Sequence, residues 1–360
     1  MIEQLQYDAT PKYNFPDQIK ETELQAILTE LSLSSIDRSK GKTFTSYHPE
    51  ISEPVCLLHG IDEDFGGRTI SASLIPLKPI PDGTPIVGID ASTIRIGETE
   101  TGTLCAVRAA IVWNNKGKYR YMRVGPFPFY IDQDNYKEIL RTLGGRWTFN
   151  YNGQSVLIET QKLLCNLIEH HVRASISSTT CNSLILWDGS LSVDPYSQNV
   201  EDVDRILRNA RKNFNVVIAI SKESSLQPIL RKITDLLAEY TCPCLFEVEQ
   251  PYSESCKHTI FLGRVYIAKL SRDGLHFRLD VDHAFSKQDS VSTIERLLGN
   301  ELNFQGYPET LRLAHIHSTF TSIDVVGIQS YLVKELGIRL MRRPNMRRSL
   351  FGPYGTGLGD

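Results

Sequence analysis

The order of elements along the sequence predicts an α/β fold in which helices pack on the faces of a mixed β-sheet. Three strand-like segments with hairpin links come first, followed by a helix, a strand, a helix, a strand and a helix. Hairpin-linked strands pair antiparallel, whereas strand–helix–strand units give parallel pairs, so the two patterns together favour a mixed sheet. This is the order expected of an RNase H-like core, although length and periodicity alone leave other mixed α/β folds open.

The first three strands are predicted from short apolar runs bounded by turn residues. A proline-rich stretch (76–85) precedes the first run, IVGID, which ends in Asp90. The second and third strands are predicted at 103–113 and 119–124, and the Asn-Asn-Lys-Gly segment between them indicates a hairpin.

The later elements are predicted from apolar periodicity and apolar runs. The run LILW, which is followed by Asp188, is typical of a buried central strand. The other predicted strands are 214–220, 259–270 and 276–281, and the predicted helices are 20–33, 155–174, 200–212, 226–240, 308–320 and 323–336.

The domain organisation is predicted to be an N-terminal extension (1–80) and one large domain (81–360). Within the large domain, we expect the core at about 85–240, C-terminal strands and helices at 259–338, and a basic tail at 339–360. The arginines of the tail, beside Phe351 and Tyr354, could contact the phosphates and bases of a nucleic acid, although such a tail is more often a plain soluble end.

Composition excludes several classes of protein. The net charge of −3 argues against a histone-like protein that coats nucleic acid, but not against a local basic groove. No apolar run has the length of a membrane helix, and no secretory signal is visible at the N-terminus, so we expect a cytoplasmic protein. The sequence has no GxxxxGK[ST] motif, so we do not expect this chain to hydrolyse ATP.

The seven cysteines include no CxxC pair and do not indicate a disulfide scaffold. Cys242, Cys244, Cys256 and His258 lie close enough in sequence to bind zinc, but their spacing is uncommon for a zinc site. Reduced cysteine thiols are the expectation favoured here.

Two carboxylates follow buried strands and are candidates for a metal site. Asp90 ends the first predicted strand and Asp188 the fourth, and small residues follow each. Ligands collect at the ends of such strands, and two adjacent carboxylates repel each other unless a cation lies between them. Their oxygen atoms suit Mg²⁺ or Mn²⁺. Either acid alone could instead only cap the turn or helix that follows.

A third acid is expected on the helix at 155–174. Glu159 falls in the same i, i+3, i+7 spacing as Val156 and Leu163, which predicts that it faces the core. A carboxylate there needs a partner or a cation. Glu169 is the alternative, but Arg173 four residues later suggests a solvated ion pair. Asp90, Glu159 and Asp188 together would form a metal-dependent phosphoryl-transfer site.

At this point the sequence resembles the NurA family of nucleases over residues 85–338. The matching segments are GIDAST, which contains Asp90, the DGSL turn that starts at Asp188, the pair Ser221–Lys222, and GYPETLRLAH, which contains Tyr307 and His315. The sequence departs from the family at Ala91, where the family usually has glycine. A methyl group is small enough to keep the site intact.

The resemblance implies an RNase H-like domain that cleaves DNA with Mn²⁺, or alternatively Mg²⁺. It implies a single-stranded DNA endonuclease and 5′–3′ exonuclease that processes DNA ends for recombination repair. It also implies a homodimer that works with a HerA-type hexameric ATPase. The implied catalytic residues are Asp90, Glu159, Asp188, Tyr307 and His315. All of these except Tyr307 are implied metal ligands.

Lys222 is a candidate for substrate binding because it follows a buried strand, where it could meet a phosphate, although it could equally be a solvated lysine. Two alternative functions remain at this stage. One is a catalytically silent DNA-binding subunit of a translocase complex. The other is an RNase H-like nuclease for hybrid or branched substrates, since the same acids serve all such substrates.

Overall fold

The protein, described here from a computed structural model, has helices on both faces of one large sheet. The structure describes residues 21–46, 74–143, 154–193, 200–222, 243–248, 260–272 and 274–342. The helices are α1 (Glu21–Asp37), α2 (Tyr136–Thr142), α3 (Gln154–Thr179), α4 (Val200–Lys212), α5 (Lys287–Asn300), α6 (Glu309–Ser318) and α7 (Ser322–Leu336). The strands are β1 (Thr43–Ser46), β2 (Leu74–Pro76), β3 (Ile86–Glu98), β4 (Gly102–Asn115), β5 (Lys118–Asp132), β6 (Leu184–Asp188), β7 (Ser192–Val193), β8 (Val216–Ser221), β9 (Cys244–Glu247), β10 (Ile260–Phe261), β11 (Gly263–Lys269), β12 (His276–Asp282), β13 (Asn303–Phe304), β14 (Tyr307–Pro308) and β15 (Arg339–Arg342).

The centre of the sheet has the strand order β5–β4–β3–β6–β8, and β12, β11, β9 and β2 extend it beyond β8. The strands β3, β6 and β8 are parallel, whereas β4 is antiparallel to both β3 and β5. Two hairpins followed by two parallel strands are the arrangement predicted from the sequence. The structure therefore confirms the mixed α/β sheet and its RNase H-like order of strands.

Two apolar cores lie on opposite faces of the sheet. Side chains of β6 alternate between them, with Ile185 and Trp187 in the core beneath α3 and α4, and Leu184 and Leu186 in the core beneath α5 and α6. A strand that is buried on both faces must be apolar throughout, which is why this segment shows no polar alternation. The change to polar residues at Asp188 marks the edge of both cores.

The first strand is longer than the sequence predicts. The apolar run suggested an end at Asp90, but β3 continues to Glu98 because β4 pairs with it along almost its whole length. Asp90 is instead the point where the pairing of β3 with β6 ends, since the last pair of that ladder is Ile89 with Trp187. Beyond this point, no described strand pairs with β3 on that side until Gly97 pairs with β1.

Several other elements differ from the sequence prediction. The helix α5 and the short strands β1, β9 and β15 were not predicted. The strands are too short to show a periodic pattern, and the helix lacks a strong apolar stripe. The predicted helix at 226–240 lies outside the described residues. So do residues 343–360, which make up most of the predicted basic tail.

The described part of residues 1–80 packs directly on the sheet. Leu28 of α1 belongs to the core beneath α3, and Ser35 Oγ of α1 accepts a hydrogen bond of 3.2 Å from the amide of Tyr130 in β5. The strand β1 pairs with both β3 and β15. These contacts extend the sheet on the side of β3 that β6 leaves open.

Among the described cysteines, Cys105, Cys165, Cys181 and Cys244 form no disulfide bond. The other members of the possible zinc group, Cys242, Cys256 and His258, lie outside the described residues. None of the described helices combines the length and the hydropathy that a transmembrane segment requires.

Candidate active site

The strand register brings Asp90 and Asp188 side by side. They follow Ile89 and Trp187, which form the last pair of the parallel ladder between β3 and β6. Neighbouring strands lie about 4.8 Å apart, so residues at equivalent positions just past this pair are close neighbours. The apolar runs thus place one carboxylate on each of two adjacent strands at the same level.

The helix α6 approaches β3 closely because Gly88 has no side chain. A Cβ atom at Gly88 would lie 2.9 Å from the carbonyl oxygen of Thr310, in the first turn of α6. Buried Glu301 holds the same turn, since it accepts hydrogen bonds from the Thr310 amide and hydroxyl and from Asn114 of β4. The start of α6 is therefore fixed over the strand that carries Asp90.

Two side chains from the last turn of α6 contact Asp90. His315 Nδ1 lies 3.1 Å from Asp90 Oδ2, and Ser318 Oγ donates to the same oxygen atom over 2.5 Å. The hydrogen bond to Asp90 raises the pKa of His315, and nearby Asp188 adds to this, whereas burial and Lys222 oppose it. The imidazole thus favours its protonated form while it faces the two acids.

Asp188 faces a cation and a tyrosine on the other side of the site. Lys222 Nζ, just after β8, donates to Asp188 Oδ2 over 2.8 Å and lies 5.1 Å from the ring centroid of Tyr307. Burial and the charges of Asp188 and Asp90 raise the pKa of Tyr307 far above its ordinary value. Its hydroxyl is buried and has no hydrogen-bond partner among the described residues, so it is a donor that a ligand can satisfy.

The donor set fits a divalent cation. One ligand atom each from Asp90, Asp188 and His315 lie within 4.8 Å of one another. Two carboxylates and an imidazole are ligands that Mn²⁺ accepts, and a cation between the carboxylates removes their mutual repulsion. The ammonium group of Lys222 already occupies one such position against Asp188.

The structure does not bring Glu159 to these residues. Its side chain is 43% exposed and pairs with Lys162 over 2.9 Å, so it lies on the solvent side of α3. The stripe of α3 that faces the core instead contains Leu157, Leu164 and Ile168. The predicted stripe was thus rotated from the observed one by about one residue, or 100° of helix.

Glu169 is the acid of α3 that lies beside the cluster. Its side chain is 15% exposed and pairs with Arg173. Burial raises the pKa of Glu169 to about 7, and the charges of Asp90 and Asp188 add to the increase while Arg173 opposes it. The ion pair inferred from the i, i+4 spacing exists, but it is buried rather than solvated.

Two residues near the acids were not candidates at the sequence level. Ser318 lies three residues after His315 and so on the same side of α6 as that histidine. Arg173 donates from one guanidinium nitrogen to both Glu169 and the backbone carbonyl of Asp188, the latter over 3.1 Å. The three-residue spacing from His315 is a sequence signal that could have identified Ser318. The contact of Arg173 with the Asp188 carbonyl leaves no such signal in the sequence.

No protein-family model and no curated protein matches the chain. Among solved structures, it is similar to that of the NurA nuclease from Sulfolobus solfataricus, with 17% identity and a TM-score of 0.45 over 73% of this chain and 88% of the other. A second NurA crystal structure has 9% identity and a TM-score of 0.39 over 72% and 91% of the chains. An Argonaute from Aquifex aeolicus has 12% identity and a TM-score of 0.29 over 65% and 28%.

Proposed function

We propose that the protein is a metal-dependent nuclease that hydrolyses phosphodiester bonds in DNA. The observation that carries this proposal is the convergence of Asp90, Asp188 and His315 from two strands and one helix, with ligand atoms within 4.8 Å of one another. Such a group of ligands at the end of a parallel strand pair suits metal-assisted phosphoryl transfer.

Asp90, Asp188 and His315 would hold the metal, with Glu169 in the place that the sequence assigned to Glu159. When bound, Mn²⁺ or Mg²⁺ polarises the phosphate and makes water a stronger nucleophile. The NurA resemblance of the motifs around these residues favours Mn²⁺ of the two. Asp90 orients the ring of His315, and Ser318 holds the Asp90 carboxylate by donating to it.

The remaining residues of the site would serve the substrate. The ammonium of Lys222 can move from Asp188 to a phosphate oxygen once a metal takes over the charge of that carboxylate. The Tyr307 hydroxyl, buried and unpaired in the described structure, is a neutral donor for the same phosphate.

The finer function is proposed on the motif resemblance given above. The protein would act as a single-stranded DNA endonuclease and 5′–3′ exonuclease in the cytoplasm, during end processing for recombination repair. It would work as a homodimer with a HerA-type hexameric ATPase. The ATPase would supply ATP-driven translocation, because this sequence lacks the GxxxxGK[ST] motif.

The test is cleavage of end-labelled single-stranded DNA in Mn²⁺, Mg²⁺ or EDTA by the wild type and by Asp188→Asn. We expect metal-dependent cutting that is lost in the variant and kept in Asp202→Asn, a matched change at an exposed ion pair on α4. The position of the label reports polarity, and duplex, hybrid and branched substrates of the same sequence report specificity.

Activity that persists in Asp188→Asn or in EDTA would overturn the proposed site. Wild type that stays inactive, also when a HerA-type ATPase is added, would overturn the proposed nuclease and favour a silent DNA-binding subunit.

A further inference from the structure

A polar cavity of about 210 Å³ lies next to the acid cluster, between α3, β6 and α4. It is lined on one side by Glu169, Arg173 and Asp188, and its apolar wall includes Val193 and Val203. The cavity is smaller than the roughly 300–1,000 Å³ of typical pockets for drug-sized ligands. It can hold about seven waters at about 30 Å³ each, or one small planar group.

Three buried nitrogen atoms of the cavity lining have no hydrogen-bond partner among the described residues: the N–H donors Trp187 Nε1 and Arg173 Nε, and His170 Nδ1, whose role depends on the tautomer. The Nε1 atom of Trp187 is unpaired although the residue is 1% exposed, and the Nε atom of Arg173 is unpaired although that residue is 9% exposed. A buried N–H group without a partner is costly, and an acceptor on a bound ligand removes that cost. Either water or a ligand that fills the cavity must therefore present acceptors to these two N–H groups.

Both donors are held in place before any ligand arrives. Trp187 is part of β6, in the centre of the sheet. The Arg173 guanidinium lies 4.6 Å from the indole ring of Trp187, and it donates to Glu169 and to the Asp188 carbonyl. Preorganised donors of this kind select a ligand by the position of its acceptors.

The charges of the lining favour a neutral ligand. Glu169 and Asp188 contribute two carboxylates against the one guanidinium of Arg173. A free anion in this cavity would face both acids, whereas a neutral heterocycle would not. The hydroxyls of Ser190 and Ser192, 2.6 Å apart at the cavity, can each donate or accept, as the edge of a nucleobase requires.

We propose that this cavity binds the nucleobase of a nucleotide next to the cleaved phosphodiester bond, with acceptors of the base paired to Trp187 Nε1 and Arg173 Nε. Asp188 links the two sites, because its side chain belongs to the acid cluster and it also lines the cavity. The inference rests on the proposed function for the identity of the substrate. Contacts to the edge of a base carry sequence information, so such a pocket would make the nuclease cut with a preference for one base.

The first experiment measures binding without cleavage. Four labelled single-stranded homopolymers, of deoxyadenosine, deoxycytidine, deoxyguanosine and thymidine, are titrated in EDTA with wild type, Trp187→Phe and Trp113→Phe. Trp113 lies on β4 opposite Val87, three residues from the Asp90–Ala110 pair, and it does not line the cavity, so its variant is a matched control. We expect wild type and the control to bind one homopolymer about fivefold or more tightly than the weakest, and Trp187→Phe to bind all four within about twofold.

Equal binding of the four homopolymers by wild type would overturn the inference, as would a preference that survives in Trp187→Phe. A melting temperature close to that of wild type is the folding check for this variant. If it does not fold, Ser192→Ala is used instead, because this partly exposed hydroxyl leaves the core unchanged, and we expect it to weaken the same preference.

The second experiment maps cut positions in a randomised single-stranded DNA with Mn²⁺. We expect one base to be enriched beside the cut in wild type and the enrichment to be lost in Trp187→Phe. Cleavage without any enrichment would overturn the base pocket and leave the nuclease intact. Base preference in binding with no cleavage would overturn the nuclease and leave the base pocket intact.

Discussion

His315 Nδ1 lies 3.1 Å from Asp90 Oδ2, although 225 residues separate the two in the chain. The contact depends on the closeness of α6 to β3, which Gly88 permits. It places an imidazole of raised pKa at the edge of a carboxylate pair, where a metal, a phosphate and a leaving oxygen would meet.

Variants of the two glutamates of α3, Glu159 and Glu169, test which of them is the third acid of the proposed site. Loss of a residue that only supports a metal ligand lowers activity by up to roughly 100-fold. If Glu169 is itself a ligand, Glu169→Gln should reduce the cleavage rate by more than this. Glu159→Gln should stay within about twofold of wild type, because its partner is solvent-exposed Lys162. Initial cleavage rates on one DNA substrate measure both. The reverse ranking of the two variants would return the third acid to Glu159.

The pH dependence of stability should report the Asp90–His315 contact. A pKa that is raised by folding means that the contact stabilises the protein fully below the ordinary histidine value of 6.5, and that this stability is lost as the pH rises through the raised pKa. His315→Gln should therefore lose stability relative to wild type at about pH 6 and much less at about pH 9. Chemical denaturation at both pH values measures the difference. A deficit that is equal at both, or larger at the alkaline pH, would show that no such coupling exists.

Gly88→Ala should disturb the fold and the site together. The added methyl would lie 2.9 Å from the Thr310 carbonyl oxygen, so α6 must shift, at a cost of about 1–3 kcal/mol. Because α6 carries His315, cleavage should fall as well. Gly327→Ala on α7 is the matched control, since its Cβ meets nothing within 4 Å, and it should be neutral or stabilising by about 0.5–1 kcal/mol. Thermal unfolding and cleavage rates of the two variants measure both effects, and a Gly88→Ala variant as stable as the control would refute the close packing.

Lys222→Met should have opposite effects on metal and on DNA. In the absence of DNA, Mn²⁺ should bind about two- to fivefold more tightly, because the ammonium that competes for Asp188 is gone. DNA should bind more weakly, because a phosphate contact is lost. Calorimetric titration with Mn²⁺ measures the first affinity, and a DNA-binding assay in Ca²⁺, a hard cation that carboxylates also bind, measures the second. Lys222→Arg keeps the charge and should stay near wild type in both affinities. If Lys222→Met instead binds Mn²⁺ more weakly than wild type, the role of Lys222 is to hold Asp188 in place for the metal.

Much of the fold could be predicted from the sequence because its signals are local. The apolar runs before Asp90 and Asp188 are buried strands, and the turn after Asn114 joins two antiparallel strands, as the spacing indicated. Parallel pairing of the two runs follows from the helix between them. The neighbouring positions of Asp90 and Asp188 were therefore within reach of sequence reasoning.

The third acid was not within reach, because the rotation of α3 about its axis is a tertiary property. Its apolar residues allow more than one facing stripe, and Glu159 lies on one of them. Packing against β3 and β4 selects the stripe through Leu164 and Ile168, which turns Glu159 to solvent and leaves Glu169 at the acids.

The sequence by itself thus determined the α/β class, the order of the central strands and two of the carboxylates, since burial patterns and turns act over a few residues. Tertiary structure decided which helical acid reaches the site, how closely α6 lies on β3, and that unpaired donors of Trp187 and Arg173 lie in one cavity. These features depend on contacts between residues far apart in the chain, and such contacts leave no periodic signal in the segments that make them.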